Sequence, residues 1–202
     1  VVIGLGTTGF GMADVLLEPY GGQVLNMTVA ETTRLTAVLG AGGLAGFAIA
    51  SRVLLRGAEP LRVAWTGALL GIPAFGAIIA AAGPGSVALV AAGTFLIGLG
   101  AGLFGHGTLT ATMRAAPPES RGLALGAWGA VQATSAGVAI ALGGVLRDAI
   151  LAMPGTSGLG MAAAYIPVFA MEVVLLVAAA IAVLPLLRSA FARRQRATLE
   201  QT

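Results

Sequence analysis

The sequence predicts an all-α, polytopic membrane protein with six transmembrane helices. Composition carries much of this: 57% of the 202 residues are hydrophobic and only 9% are charged. A soluble domain carries about 25% charged residues. Mean hydropathy is +0.95. The apolar residues also fall in continuous runs near the length that crosses a bilayer, not in the alternating pattern of a half-buried β-strand.

Six runs qualify or nearly qualify as spans. The first goes from Val1 to about Leu17. The second goes from about Val29 to Ala50, and the third from Leu61 to Ala82. The fourth covers Ser86–Met113, the fifth Gly122–Leu146, and the sixth about Leu159 to Leu187. Turn chemistry separates them: Pro19-Tyr-Gly-Gly22, Gly57-Ala-Glu-Pro60, Gly83-Pro-Gly85, Pro117-Pro118 and Pro154-Gly-Thr-Ser-Gly158. Thr28 and Glu31 have the spacing of a capping box. Pro60 suits a first helical turn, and Ser86 suits an N-cap.

All eleven basic residues are arginine. Arg52, Arg56 and Arg62 surround the second connection, and Arg114 and Arg121 the fourth. Arg188, Arg193, Arg194 and Arg196 follow the sixth span. All of these fall on one side, which the positive-inside rule makes cytoplasmic, with the tail 188–202. Arg34 and Arg147 fall on the other side, each beside an acid. The basic loop and tail are expected to meet lipid headgroups. A net charge of +3 spread over helix ends does not indicate a nucleic-acid partner.

Cysteine is absent and there is one histidine. A disulfide framework, a thiol nucleophile and a metal site made by protein ligands alone are therefore not expected. No Ser/His/Asp spacing or phosphate-binding loop is present, so the protein is read as non-enzymatic. The chain opens inside apolar sequence without a basic leader, as a part of something longer would. Glycines recur at four-residue spacing: Gly42/Gly46, Gly67/Gly71, Gly98/Gly102 and Gly122/Gly126. Such stripes let helices approach closely, although 31 glycines would give some pairs by chance.

Three stretches go beyond generic membrane composition: DVLLEPYGGQVL (Asp14–Leu25), GTLTATM (Gly107–Met113) and RGLALGAWGAVQATSAG (Arg121–Gly137). Together they resemble the PucC/LhaA family, the bacteriochlorophyll-delivery branch of the major facilitator superfamily. The resemblance covers essentially the whole chain and implies the carboxy-terminal half of a twelve-span bundle. It implies the inner, photosynthetic membrane of a phototrophic bacterium. The implied role is assembly of antenna complexes beside light-harvesting polypeptides or a reaction-centre complex, with bacteriochlorophyll as a possible guest. Two other readings stay open: a permanent structural subunit of a photosynthetic complex, and half of a secondary transporter.

Several polar residues are candidate contacts. Asp14 and Glu18 share a helix face near the outer end of the first span. They are expected to bond the following loop or pair with Arg34, or to dock a partner or pigment substituent. His106, between Gly105 and Gly107, is a candidate axial ligand to the magnesium of a chlorophyll; a hydrogen bond to a neighbouring helix is the plainer reading. Glu172 lies in the middle of the last span, where a carboxylate is rare. A lateral contact with another membrane helix or a pigment is expected there, with an internal hydrogen bond as the alternative. Trp128 and Gln132 lie in the most family-like stretch, and Gln132 can bond across helices.

Overall fold

The structure, a computed structural model, describes residues 1–153 and 160–199, with side chains as far as residue 190. The expected turn at 154–158 lies outside the described residues. So do the side chains of Arg193, Arg194 and Arg196, although the backbone there continues the last helix. Seven α-helices are present among the described residues: α1 (Val2–Gly11), α2 (Ala13–Val24), α3 (Val29–Leu55), α4 (Pro60–Ala81), α5 (Val87–Ala115), α6 (Arg121–Leu151) and α7 (Ala162–Leu199). A single 3-10 turn at Pro118–Ser120 leads into α6. Helices α3 to α7 are each long and apolar enough to cross a membrane. The protein is a polytopic all-α membrane protein, a partial bundle of the facilitator type.

The helix starts follow local chemistry. Thr28 accepts from the Glu31 amide, and the Glu31 carboxylate accepts from the Thr28 amide at 2.8 Å, which completes the capping box of α3. Pro60 opens α4, and Ser86 Oγ accepts from the Leu89 amide at the start of α5.

The first span differs from expectation in two ways. Its helix does not stop before Pro19 but runs through it to Val24, and Asn26 at φ 54° turns the chain instead. Packing overrides the turn preference of Pro19-Tyr-Gly-Gly22. Tyr20 is fully buried, donates to the Ile78 carbonyl at 2.7 Å, and meets the Tyr165 and Phe169 rings edge-on. The span is also broken at Met12 into two short helices, although Met12 keeps right-handed helical angles. The last three spans also extend beyond or shift from the expected bounds, most of all α7, which carries the basic tail as far as Leu199.

Helix α5 forms the centre, between α3 and α4; α7 closes against α4 and α1, and α6 lies over α1. The glycine stripes decide two of these contacts. Gly42 and Gly46 face Gly98 and Gly102, where a Cβ on Gly102 would sit 2.5 Å from the Gly43 carbonyl oxygen. A Cβ on Gly67 would sit 2.6 Å from the Gly100 carbonyl oxygen on α5. Contacts this close need bare backbone, which is how apolar helices associate without a hydrophobic drive. Gly122 and Gly126 pack on nothing. Of α6, only Ala139 and Gly143 are buried.

Candidate functional site at a broken helix

The break at Met12 lies level with Glu172, in the middle part of α7, a helix long and apolar enough to cross a membrane. Gly9 and Gly11 flank it, each disfavouring helix by about 1 kcal/mol relative to alanine. Both are also contact points: Gly9 abuts Leu175 and Leu176 on α7, and Gly11 abuts Ala139 on α6. An unbroken helix would send the Ala13 N–H to the Gly9 carbonyl. Here it donates to Glu172 Oε1 at 2.7 Å, and the Met12 amide is also directed at that carboxylate. Glu172 therefore caps the start of α2 from a neighbouring helix, where the partial positive charge of a helix N-terminus favours an acid.

This corrects the expected lateral contact of Glu172. The residue is completely buried, and its other oxygen, Oε2, is buried without a hydrogen-bond partner among the described residues. Helix α7 does have an outward face, with Val174 and Ile181 exposed, but Glu172 lies on the opposite one. Sequence placed an acid in the span. It could not place the acid opposite freed amides 159 residues away.

On the other side of the break lies a cavity of about 300 Å³. Thr7, Phe10 and Asp14 line it from α1 and α2, Phe47 from α3, and Trp128 and Gln132 from α6. Thr7 Oγ1 donates to Gln132 Oε1, which ties α1 to α6. Trp128 Nε1 donates to Thr108 Oγ1 on α5 at 3.3 Å, which orients the indole across the cavity. Asp14, in the first turn of α2, is exposed and has no hydrogen-bond partner among the described residues. The result is a mostly aromatic and aliphatic hollow with one unpaired carboxylate at its edge. Such a place suits an apolar guest with a cationic, hydrogen-bond-donating or oxygen-seeking metal centre.

The other candidates fall elsewhere. Glu18 accepts a hydrogen bond from Thr36 on α3, not from the following loop or Arg34. His106 lies on the α3–α5 seam, outside this cavity, with Nε2 3.4 Å from Ser51 Oγ and its ring edge-on to Phe47. Magnesium ligation through Nε2 would displace Ser51. Arg52 and Arg56 are exposed at the end of α3, Arg62 lies in the first turn of α4, and Arg188 lies in the last part of α7.

The sequence reading did not single out Thr7, Phe47 or a polar staple at the other end of the bundle. There Arg147 bonds Asp148 and Gln23, both at 2.7 Å, and lies 5.2 Å over the Tyr165 ring. Tyr165 also donates to Gln23 at 2.6 Å. The Arg147–Asp148 neighbourhood is visible in sequence; the convergence of α2, α6 and α7 on it is not.

The sequence profile of the family described as PUCC protein matches residues 1–191. The chain belongs to the PucC family. It is 63% identical over 195 residues to Protein PucC of Cereibacter sphaeroides, covering 96% of this chain and 42% of that relative. Against Protein PucC of Rhodobacter capsulatus it is 57% identical over 190 residues, 93% of this chain and 41% of the relative. A more distant likeness, 32% over 175 residues, is to the bacteriochlorophyll synthase 44.5 kDa chain of Rhodobacter capsulatus, covering 78% of this chain and 38% of that one. The PucC-family chain thus spans about two-fifths of the length of these curated relatives. No solved structure matches it.

Proposed function

We propose that this PucC-family chain serves antenna assembly in a bacterial photosynthetic membrane by binding, not by catalysis. Its guest is bacteriochlorophyll, a light-harvesting helix, or both together, held against the cavity beside the helix break. The supporting observation is Asp14: an exposed carboxylate without a hydrogen-bond partner among the described residues, at the edge of an aromatic-lined hollow. Carboxylate oxygen is a suitable donor for a hard cation such as magnesium, so the residues present fit a magnesium tetrapyrrole. Trp128 and Phe47 offer flat apolar surface to a ring or to an apolar helix. The family match, and the name of the 32% relative, direct the choice of guest towards pigment and antenna. In this reading the partners are light-harvesting polypeptides or a reaction-centre complex, and the arginine-rich ends face the cytoplasm.

The test is gentle solubilisation of the protein from a phototroph, followed by an absorbance spectrum and a subunit inventory. The expected result is a bacteriochlorophyll band and antenna polypeptides from the wild type, and loss of both from Asp14→Leu at unchanged protein yield. A colourless wild-type protein without antenna partners overturns the proposal.

A further inference from the structure

Helices α3 and α5 run parallel with a constant offset. Gly43 lies against Gly98, Gly46 against Gly102, and Ser51 opposite His106. Bare backbone holds the two helices together as far as Gly102. Beyond it the seam positions carry side chains, and a cavity of about 340 Å³ lies among them at the arginine-rich end. Its walls are Ser51, Leu54 and Leu55 from α3 and His106, Thr110 and Arg114 from α5. Arg114 is the charged residue of this set, and no carboxylate lines it. Ser51, His106 and Thr110 offer hydrogen-bonding atoms from both sides.

The groove does not end at these polar groups. Leu44, Phe47, Ser51 and Leu55 recur at helical spacing on α3, and Leu44, Phe47 and Leu55 are exposed at 73%, 46% and 88%. On α5, Leu99 and Leu103 precede His106, Thr110 and Arg114 on the facing stripe. The surface is therefore apolar toward the bundle middle and polar with a cation at its end. That order matches an amphiphile standing in one leaflet: chains along Leu44 and Phe47, headgroup at Arg114. A free anion would have no use for the apolar portion.

We propose that this groove is a binding site for an anionic phospholipid, its phosphate held by Arg114 with hydrogen bonds from His106, Ser51 and Thr110. The site is separate from the Asp14 cavity, with Phe47 standing between the two.

Native mass spectrometry of the delipidated protein in mild detergent tests this, with phosphatidylglycerol, phosphatidylcholine or inorganic phosphate added. Phosphatidylglycerol should bind in preference to phosphatidylcholine. Arg114→Gln should weaken it about fivefold, the effect of one arginine near a lipid surface. Arg121→Gln, at the same end but outside the groove, should leave it unchanged. Leu44→Ser, at the apolar end, should weaken lipid binding without affecting phosphate. If Arg114→Gln does not fold, Ser51→Ala with Thr110→Val carries the same expectation. Equal losses from Arg114→Gln and Arg121→Gln would reduce the site to diffuse surface charge and overturn it. Full displacement of the lipid by inorganic phosphate, with Leu44→Ser silent, would make it a free-anion site and overturn it equally.

Discussion

Asp14 and Glu172 stand on opposite sides of the same helix break, and their circumstances are opposite. Glu172 is completely enclosed and accepts from the Ala13 amide. Asp14 is one residue further along the same backbone, faces the cavity, and has no partner among the described residues. One acid therefore accounts for the break, and the other is left facing the cavity beside it. Charge in a membrane span marks function by default, but one of these two acids is explained by the fold alone. The acid deepest in the protein has a structural explanation, whereas the exposed one does not.

The largest expected effect comes from removing the enclosed acid. Glu172→Leu leaves the Ala13 N–H buried and unpaired, at a cost of about 1–3 kcal/mol. Loss of folded protein, or a clearly lower unfolding midpoint in detergent, is expected. Glu172→Gln keeps an oxygen for the Ala13 amide and should stay close to wild type. If Leu and Gln at 172 behave alike, the cap is not what holds the break, and the contrast with Asp14 fails.

The next effect is on binding, with stability unmoved. Asp14→Asn and Asp14→Leu remove a partnerless surface carboxylate, so stability should change by no more than about 0.5 kcal/mol. Guest retention should fall at least about tenfold, since a hydrogen bond to a charged group is worth about 1.5–3 kcal/mol. An unfolding titration beside the pigment band of the same preparation separates the two quantities. Strong destabilisation by Asp14→Leu would mean that Asp14 is structural after all.

How much of this was legible in sequence depends on whether a feature is local. The capping box at Thr28, Pro60 at a helix start, and the long apolar runs of α3 to α7 each lie within one contiguous stretch of chain, and they read correctly. The glycine pairs were half legible: Gly98/Gly102 and Gly122/Gly126 have the same spacing, yet only the first pair meets another backbone. Spacing states what a helix surface permits; the neighbour decides whether it is used. Pro19-Tyr-Gly-Gly22 has strong turn chemistry, and it lost to the burial of Tyr20 among Ile78, Tyr165 and Phe169. Glu172, Asp14 and Gln132 were all picked out as polar residues in apolar spans. Their roles depend on partners 125 to 159 residues away, or on having none, and nothing in the chain's own periodicity encodes that.

The smallest expected effect concerns the bond that closes the break from the cavity side. Thr7 on α1 and Gln132 on α6 are the polar link between two helices that otherwise meet through small residues such as Gly11 and Ala139. Hydrogen bonds between membrane helices average about 0.6 kcal/mol in double-mutant cycles, because the unfolded state in the membrane finds partners too. Thr7→Val and Gln132→Ala should each cost about that much, and the double variant no more than either alone. That non-additivity, read from unfolding midpoints in one detergent, is the signature of a direct bond. Additive losses would show that the two side chains act separately, leaving α6 held against α1 by packing at Ala139, with the Trp128–Thr108 and Arg147–Gln23 bonds tying it to α5 and α2. Helix α6 would then be the element most easily moved away from Asp14, so the same cycle should be repeated with guest bound. A guest lodged between α2 and α6 should raise the midpoint of all four proteins while leaving the coupling between positions 7 and 132 unchanged. A guest that enters by parting α1 from α6 should abolish the coupling.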